Sequence, residues 1–300
     1  MASTQVSALT PAPAVTEKRK GINYVAYLLI APPVAIMAFL IFWPAIQALI
    51  ETLFFTDTKT GVVRFSLMNY VNFFKDPILV ADLVFTLEIT FATVAILFII
   101  GFPLSIYLRF SKDRIAAAVQ VLALFPLFVP GVILAFALIR FLGGHGMLNS
   151  LLTIAGVSRY STPYLHPSGI VIALVWENIP FTVLVLTAGL RQVDDAVIEA
   201  ARDVGANAWQ VFTQVILPLT TRAAVIVFCL NVIGVFGSFT IPYLLGPAQP
   251  MMMGVSMQQT FNNYLDRTGA LTQAVITFVF CAAVGLLYVR TVTRPKQERA

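Results

Sequence analysis

Few side chains in this sequence are suited to chemistry, and their placement limits what that chemistry is. Glu177 stands in Trp176-Glu177-Asn178-Ile179-Pro180, within a run from 168 to 190 that carries no other charge. A charge at the centre of a bilayer costs about 2.5–3.5 kcal/mol on insertion scales, so such a carboxylate faces a helix bundle or a watery path. Pro180 also removes one N–H and frees a carbonyl one turn earlier, near Trp176. Glu177 and Asn178 are therefore candidates to line a substrate path, with a structural hydrogen bond as the competing role for Glu177. Asn231 and Ser238 join them as weaker candidates, because such residues, like Thr240, commonly tie helices together. Gly234 and Gly237 suggest close backbone contact in the same stretch. Glu88 sits near one end of its apolar run, where it could reach water.

Several chemistries are excluded. His145 and His166 stand alone in connecting segments, with no Cys, His or carboxylate cluster at metal-ligand spacing. Cys229 and Cys281 lie inside apolar runs and read as small hydrophobes, not as a disulfide framework. No GxxxxGK[ST] phosphate cradle occurs, and no Ser/His/Asp or paired-carboxylate arrangement has a water-excluded pocket to work in. The expected catalytic set is empty, as are the expected cofactor and metal sets.

These residues are positioned by membrane spans. Apolar residues make up 59% of the 300-residue chain and charged residues 11%, with a mean hydropathy of +0.87. A soluble domain carries roughly 25% charge, and a disordered chain is poor in apolar residues. A helix needs about 20 apolar residues to cross roughly 30 Å of hydrocarbon. Six spans fit, at about 24–50, 82–108, 116–141, 168–190, 222–245 and 269–290. The runs are continuous, whereas barrel strands read as short alternating segments, so an all-α membrane protein is expected. The first run, 30 residues without charge, is too long for a cleaved signal core of 7–15. Residues 1–20 are expected to be a disordered tail, 21–290 the transmembrane domain and 291–300 a second tail.

Basic residues set orientation. Thirteen Lys and Arg fall in the N-terminal tail, the 109–115 and 191–222 connections and the C-terminal tail, against six in the opposite connections. Both termini and the loop at about 191–220 are expected in the cytoplasm. In that loop Val193, Val197, Ala200, Ala201 and Val204 recur at helical spacing, with Asp194, Glu199, Arg202 and Asp203 elsewhere on the surface. Gly205 is placed to end the first helix in a left-handed conformation. Asn207 and Gln210 stand in capping-box register for a second helix, along which Trp209, Phe212 and Ile216 form one face. Pro218 is expected to stop or kink it. An interfacial helix pair on lipid headgroups would favour Lys and Arg along the polar face. The mixed charges and the small Ala200-Ala201 pair favour docking to a partner.

The segment Glu199-Ala200-Ala201-x3-Gly205-Ala206-x8-Val215-x-Leu217-Pro218-Leu219 resembles the EAA loop of bacterial ABC importer permeases. The six-span layout and the loop's place between spans four and five agree. The resemblance implies the type I importer fold, with a coupling helix seated in a groove of a cytoplasmic ATPase. It assigns ATPase coupling to Glu199, Ala200, Ala201, Asp203, Gly205, Ala206, Leu217 and Pro218. The implied partners are an ABC ATPase dimer carrying ATP and Mg, a second permease subunit, a periplasmic binding protein and inner-membrane lipid, with no nucleic acid. Phe239–Gly246 and Met251–Gln259 look like the spermidine/putrescine branch, whose relatives handle 2-aminoethylphosphonate and ferric iron. The alternative is a secondary transporter driven by an ion gradient. Inverted repeats would favour it, and none is visible.

Overall fold

The computed structural model describes residues 24–56, 62–111, 113–157 and 161–293. The expected tail at 1–20, and residues 294–300 of the tail expected at 291–300, lie outside the described residues, as do Lys59, Lys112 and Arg159, while 291–293 continue the last helix. Among the described residues, six helical stretches are long and apolar enough to cross a membrane. The chain forms two units. The first, up to Gln47, contains most of α1 (Tyr24–Thr52), an apolar helix with Pro32, Pro33 and Pro44 inside it.

The second unit, from Ala48, begins with the end of α1 and a two-stranded antiparallel ribbon, β1 (Phe54–Thr56) and β2 (Val63–Phe65). Then come α2 (Met68–Lys75) and α3 (Pro77–Phe110), which starts where Asp76 accepts the Ile78 N–H at 2.8 Å. At 34 residues and 1.5 Å per residue, α3 is about 51 Å long and overshoots the hydrocarbon. The chain continues through α4 (Arg114–Leu124), α5 (Gly131–Leu142), α6 (Met147–Ile154), α7 (Pro167–Leu190) and α8 (Asp195–Asp203). It closes with α9 (Ala208–Gln210), α10 (Leu217–Phe236), α11 (Thr240–Leu245), α12 (Met253–Asn262) and α13 (Arg267–Thr293). The spans alternate between an α2 end and an α8 end of this unit.

The α3–α7–α10 core rests on close approach. A Cβ added at Gly101 of α3 would come within 2.9 Å of Thr182 Cγ2 on α7, and one at Gly189 would overlap the Ala223 methyl of α10. The Asn231 amide on α10 donates to Thr182 Oγ1 at 2.9 Å, and Thr182 Oγ1 donates in turn to the Asn178 carbonyl at 2.9 Å. Phe236 and Phe280 stack with centroids 4.2 Å apart, fastening α10 to α13. Gly234 meets nothing within 4 Å, and a Cβ at Gly237 would meet only the Ile233 carbonyl of the preceding turn. The close contacts expected at those two glycines therefore fall at Gly101 and Gly189 instead.

Two spans differ from their expected form. The run 116–141 is not one helix. Helix α4 passes into a 3-10 turn at Phe125–Phe128, and α5 starts afresh after Pro130. Pro126 and Pro130 lack the N–H groups that a continuous ladder would need. The stretch long enough to cross is Gly131–Ile154, made of α5 and α6, and Arg114–Phe128 forms a shorter apolar helix. The run 222–245 also divides. Helix α10 stops at Phe236, and α11 is a separate short helix that packs with α5 and α7. In the other direction, this span reaches back through a π-helical stretch, Val211–Ile216, to Ala208. Pro218 lies in the first turn of α10, where a missing N–H does least harm, so the helix continues through it.

The Gly189–Ala223 contact sets a test. Gly189→Val should force α7 and α10 apart and cost about 1–3 kcal/mol, the usual range for overpacking. Gly234→Ala should leave the thermal midpoint of the detergent-purified protein near that of the parent. Equal midpoints for both variants would contradict the packing described.

Candidate functional site

The loop after α7 is a folded element. Asp194 caps α8, accepting the Ala196 N–H at 3.0 Å. At the far end, Gly205 has φ +89° and donates to the Arg202 carbonyl, while the Ala206 N–H reaches the Ala201 carbonyl at 3.1 Å. These two bonds are the Schellman pattern that a left-handed glycine permits. Asn207 and Gln210 complete the capping box, with reciprocal bonds of 2.9 and 2.8 Å.

Which face of the pair is buried could not be read from the valines. Val193 and Ile198 are buried against Leu190, Val211 and Ile216, with Ile106 of α3 and Phe212 packed alongside. Val197 faces outward, Val204 is 85% exposed and Trp209 is 70% exposed. Glu199, Ala200, Asp203 and Gly205 are exposed, while Ala201 and Ala206 are half-buried. Leu217 and Pro218 lie past the π-helical stretch, exposed at the foot of α10. An outward surface of mixed charge thus carries Val204 and Trp209 on either side of the Gly205 turn.

Arg109, in the last turn of α3, ties this element down. Its Nη2 donates to Asp195 Oδ1 at 2.7 Å and to the Val193 carbonyl at 3.4 Å. The pair is 16% and 63% exposed, so its electrostatic worth is small, on the order of 0–1 kcal/mol. Its use is geometric, because it joins α8 to α3. Phe212 adds an edge-on contact with Phe102 of α3 at 5.8 Å. Sequence reasoning counted Arg109 only as a loop charge; nothing local marks a partner 86 residues away.

Among the candidate path residues, Glu177 is half-buried and makes no hydrogen bond or ion pair with the described residues. It lies where the third span breaks, since a Cβ added at Gly131 would come within 2.9 Å of Glu177 Oε1. Helix α5 begins there without a side-chain cap, and Trp176 meets Phe125 edge-on at 6.4 Å. At 100° per residue, Glu177, Leu184, Ala188 and Arg191 share one face of α7. A cavity of about 340 Å³ opens along that face toward the α8 end, lined by Leu184, Thr187, Ala188 and Arg191 with Gln120 and Leu124 of α4. The other candidates are placed differently. Asn178 is half-buried, its amide donating back to the Leu174 carbonyl at 2.8 Å. Asn231 is 1% exposed and bonded to Thr182, and Ser238 is half-buried just past α10. Glu88 is exposed on α3. Asp82, one and a half turns before Glu88, was not among the candidates and is 1% exposed. A carboxylate at the head of an apolar run, six residues ahead of Glu88, was the signal available for it.

Residues 101–296 match the family described as binding-protein-dependent transport system inner membrane component. The chain belongs to that family. The permease is 30% identical over 237 residues to the spermidine/putrescine transport system permease protein PotB of Salmonella typhimurium strain LT2, covering 77% of this chain and 82% of that one. It is 26% identical over 285 residues to the sulfoquinovosyl glycerol transport system permease protein SmoG of Agrobacterium fabrum, covering 91% of each. Its fold matches a chain of the bacterial alginate ABC transporter with a TM-score of 0.73 at 17% identity, covering 90% of this chain and 94% of that chain. The permease therefore has the type I ABC importer fold and is a multi-pass inner-membrane subunit of a binding-protein-dependent ABC importer. Membership does not favour the ion-gradient alternative.

The Gly205 turn supplies the next test. Nothing lies within 4 Å of a Cβ added there, so the cost of substitution is purely conformational. Gly205→Val should destabilise the α8–α9 turn by about 1 kcal/mol or more. Gly205→Asn, which tolerates a left-handed backbone, should retain most of its order. Amide exchange across 195–210 checks this, and equal protection in both variants would count against the turn's strain.

Proposed function

We propose that the permease forms one half of the path for a small polar solute of the polyamine class. A second permease subunit supplies the other half. A periplasmic binding protein delivers the solute, and a separate cytoplasmic ABC ATPase dimer, carrying ATP and Mg, drives alternating access through α8 and the Gly205 turn. On this reading the chain itself binds no cofactor, both termini lie in the cytoplasm, and the α8 end faces the cytoplasm.

The observation that carries the reading is the α7 face running from Glu177 to Arg191. It is half-buried at Glu177 and exposed at Phe181, Leu184, Ala188 and Arg191. A carboxylate turned to lipid would be costly, so this face needs a polar path and a second subunit to enclose it. The break between α4 and α5 lies against the same carboxylate, and irregular backbone at membrane depth is tolerated where it lines a cavity or is buried in protein. A carboxylate there suits an ammonium group, in keeping with the similarity to the spermidine/putrescine permease. Below it, the Arg109–Asp195 pair and the Phe102–Phe212 contact offer a stiff route by which movement of a docked ATPase would reach α3. The exposed Val204 and Trp209, with Glu199, Ala200 and Asp203, give that subunit a surface to hold.

Two measurements test this. Glu177→Gln keeps volume and most hydrogen-bonding capacity but removes the charge. Uptake of radiolabelled putrescine should fall roughly tenfold, the equivalent of one charge-assisted hydrogen bond, with the complex still assembled. Unchanged uptake across concentrations would take Glu177 out of the path. For orientation, a cysteine at Ser111 should be shielded from an impermeant thiol reagent in intact cells, and one at His145 should label. The reverse pattern would overturn the arrangement.

A further inference from the structure

Helix α12 begins without a cap of its own. Its N-cap residue is Met252, whose side chain can accept no useful hydrogen bond, yet the first N–H groups of a helix need acceptors. Helix α3 provides one for the first of them and also holds the residues just before the helix. Thr86 Oγ1 accepts the Met253 N–H at 2.8 Å, and Asp82 Oδ1 accepts the Met251 N–H at 2.9 Å and the Gln249 amide at 3.4 Å. The Thr86 hydroxyl donates to the Asp82 carbonyl at 2.6 Å, which locks the two acceptors together. Among the described residues, every hydrogen bond that ties residues 247–253 to an element other than α12 runs to these two side chains.

The anchored loop closes the α2 end of the core. Met252 packs in one cluster with Phe85 and Ile89 of α3, Ile170 of α7, and Ile241 and Leu245 of α11. Asp82 is buried, and none of the described cations lies within ion-pair distance of it. A carboxylate kept in such a place is compensated by the N–H groups it accepts and by the positive end of α12. An apolar side chain would fill the space at less cost if filling were all that was required.

We propose that Asp82, with Thr86, is a positioning latch that holds α11 and α12 shut over the α2 end, and that this latch breaks each time that end opens during transport. The inference rests on the alternating access proposed above. The latch itself can be read without reference to any solute.

The experiment places a cysteine at buried Val255 on α12 in a chain carrying Cys281→Ala. Buried Cys229 on α10 remains as an internal control. The purified complex in nanodiscs is exposed to a maleimide from both faces. With Asp82→Ala, labelling of Val255→Cys should rise at least tenfold. With Thr86→Val, which keeps side-chain shape, it should rise severalfold. Thr90→Val removes a buried hydroxyl that makes no hydrogen bond, so it should change nothing. Cys229 should stay protected throughout, and its labelling in the Asp82 and Thr86 variants would mean general loosening and overturn the latch. Unchanged labelling of Val255→Cys in the Thr86→Val complex would overturn it as well. In cells, the parent with Val255→Cys should label faster while taking up putrescine than when depleted of ATP. Uptake without that change would leave the anchor structural and refute its part in the cycle. Failure of uptake in the parent itself would instead strike the proposed substrate.

Discussion

Within hydrocarbon, a backbone N–H or C=O has no water to turn to, and every feature of this permease answers to that constraint. Continuous helices meet it without help. The informative places are those where the ladder stops inside the membrane unit, because something else must then serve the freed groups or water must reach them. Three stand out among the described residues: the break at Phe125–Pro130, the end of α10 at Gly237, and the start of α12 at Met252. Each is handled differently. The first lies against the Glu177 carboxylate, the second turns into the short helix α11, and the third is capped from α3.

The same constraint explains why the polar side chains gather between helices. Thr182 receives the Asn231 amide while bonding its own helix at Asn178, at a level where Gly101 lets α3 close in. Gln273 donates to Thr260 at 2.9 Å and so joins α13 to α12. Such bonds average well under 2 kcal/mol in membranes, but they select one register among many apolar packings of nearly equal energy. Glu177 is the exception, since it faces away from this network and toward the open face of α7.

At the α8 end the loop is stiff and attached in more than one place. The α8–α9 pair is held by a Schellman turn, a capping box, a small apolar core and the Arg109 tie. The π-helical stretch at Val211–Ile216 then joins it to α10 without a loop. Such stretches occur often at functional sites, and here one lies where the α8–α9 element becomes a membrane span.

The six-span class, the turn at Gly205 and the Asn207–Gln210 box were legible because each depends on neighbours within a few residues. Length of apolar run, a glycine placed after a helical pattern and a residue pair three apart are local facts. The third and fifth spans were misjudged in extent because hydropathy registers the absence of charge and is blind to a proline's missing N–H. The buried face of α8 escaped for a similar reason. Val193, Ile198, Val197 and Val204 are alike in composition, and only the position of α3 decides that the first two are covered. What the sequence by itself determined is the solvent, the class of fold and the local turns of the α8–α9 loop. The tertiary structure alone decided that Asp82 accepts an N–H from a residue 169 positions away, that Arg109 holds α8, and that Glu177 looks toward a face of α7 left open among the described residues. Those contacts join residues far apart in the chain, and no periodicity along it records which helix will lie beside which.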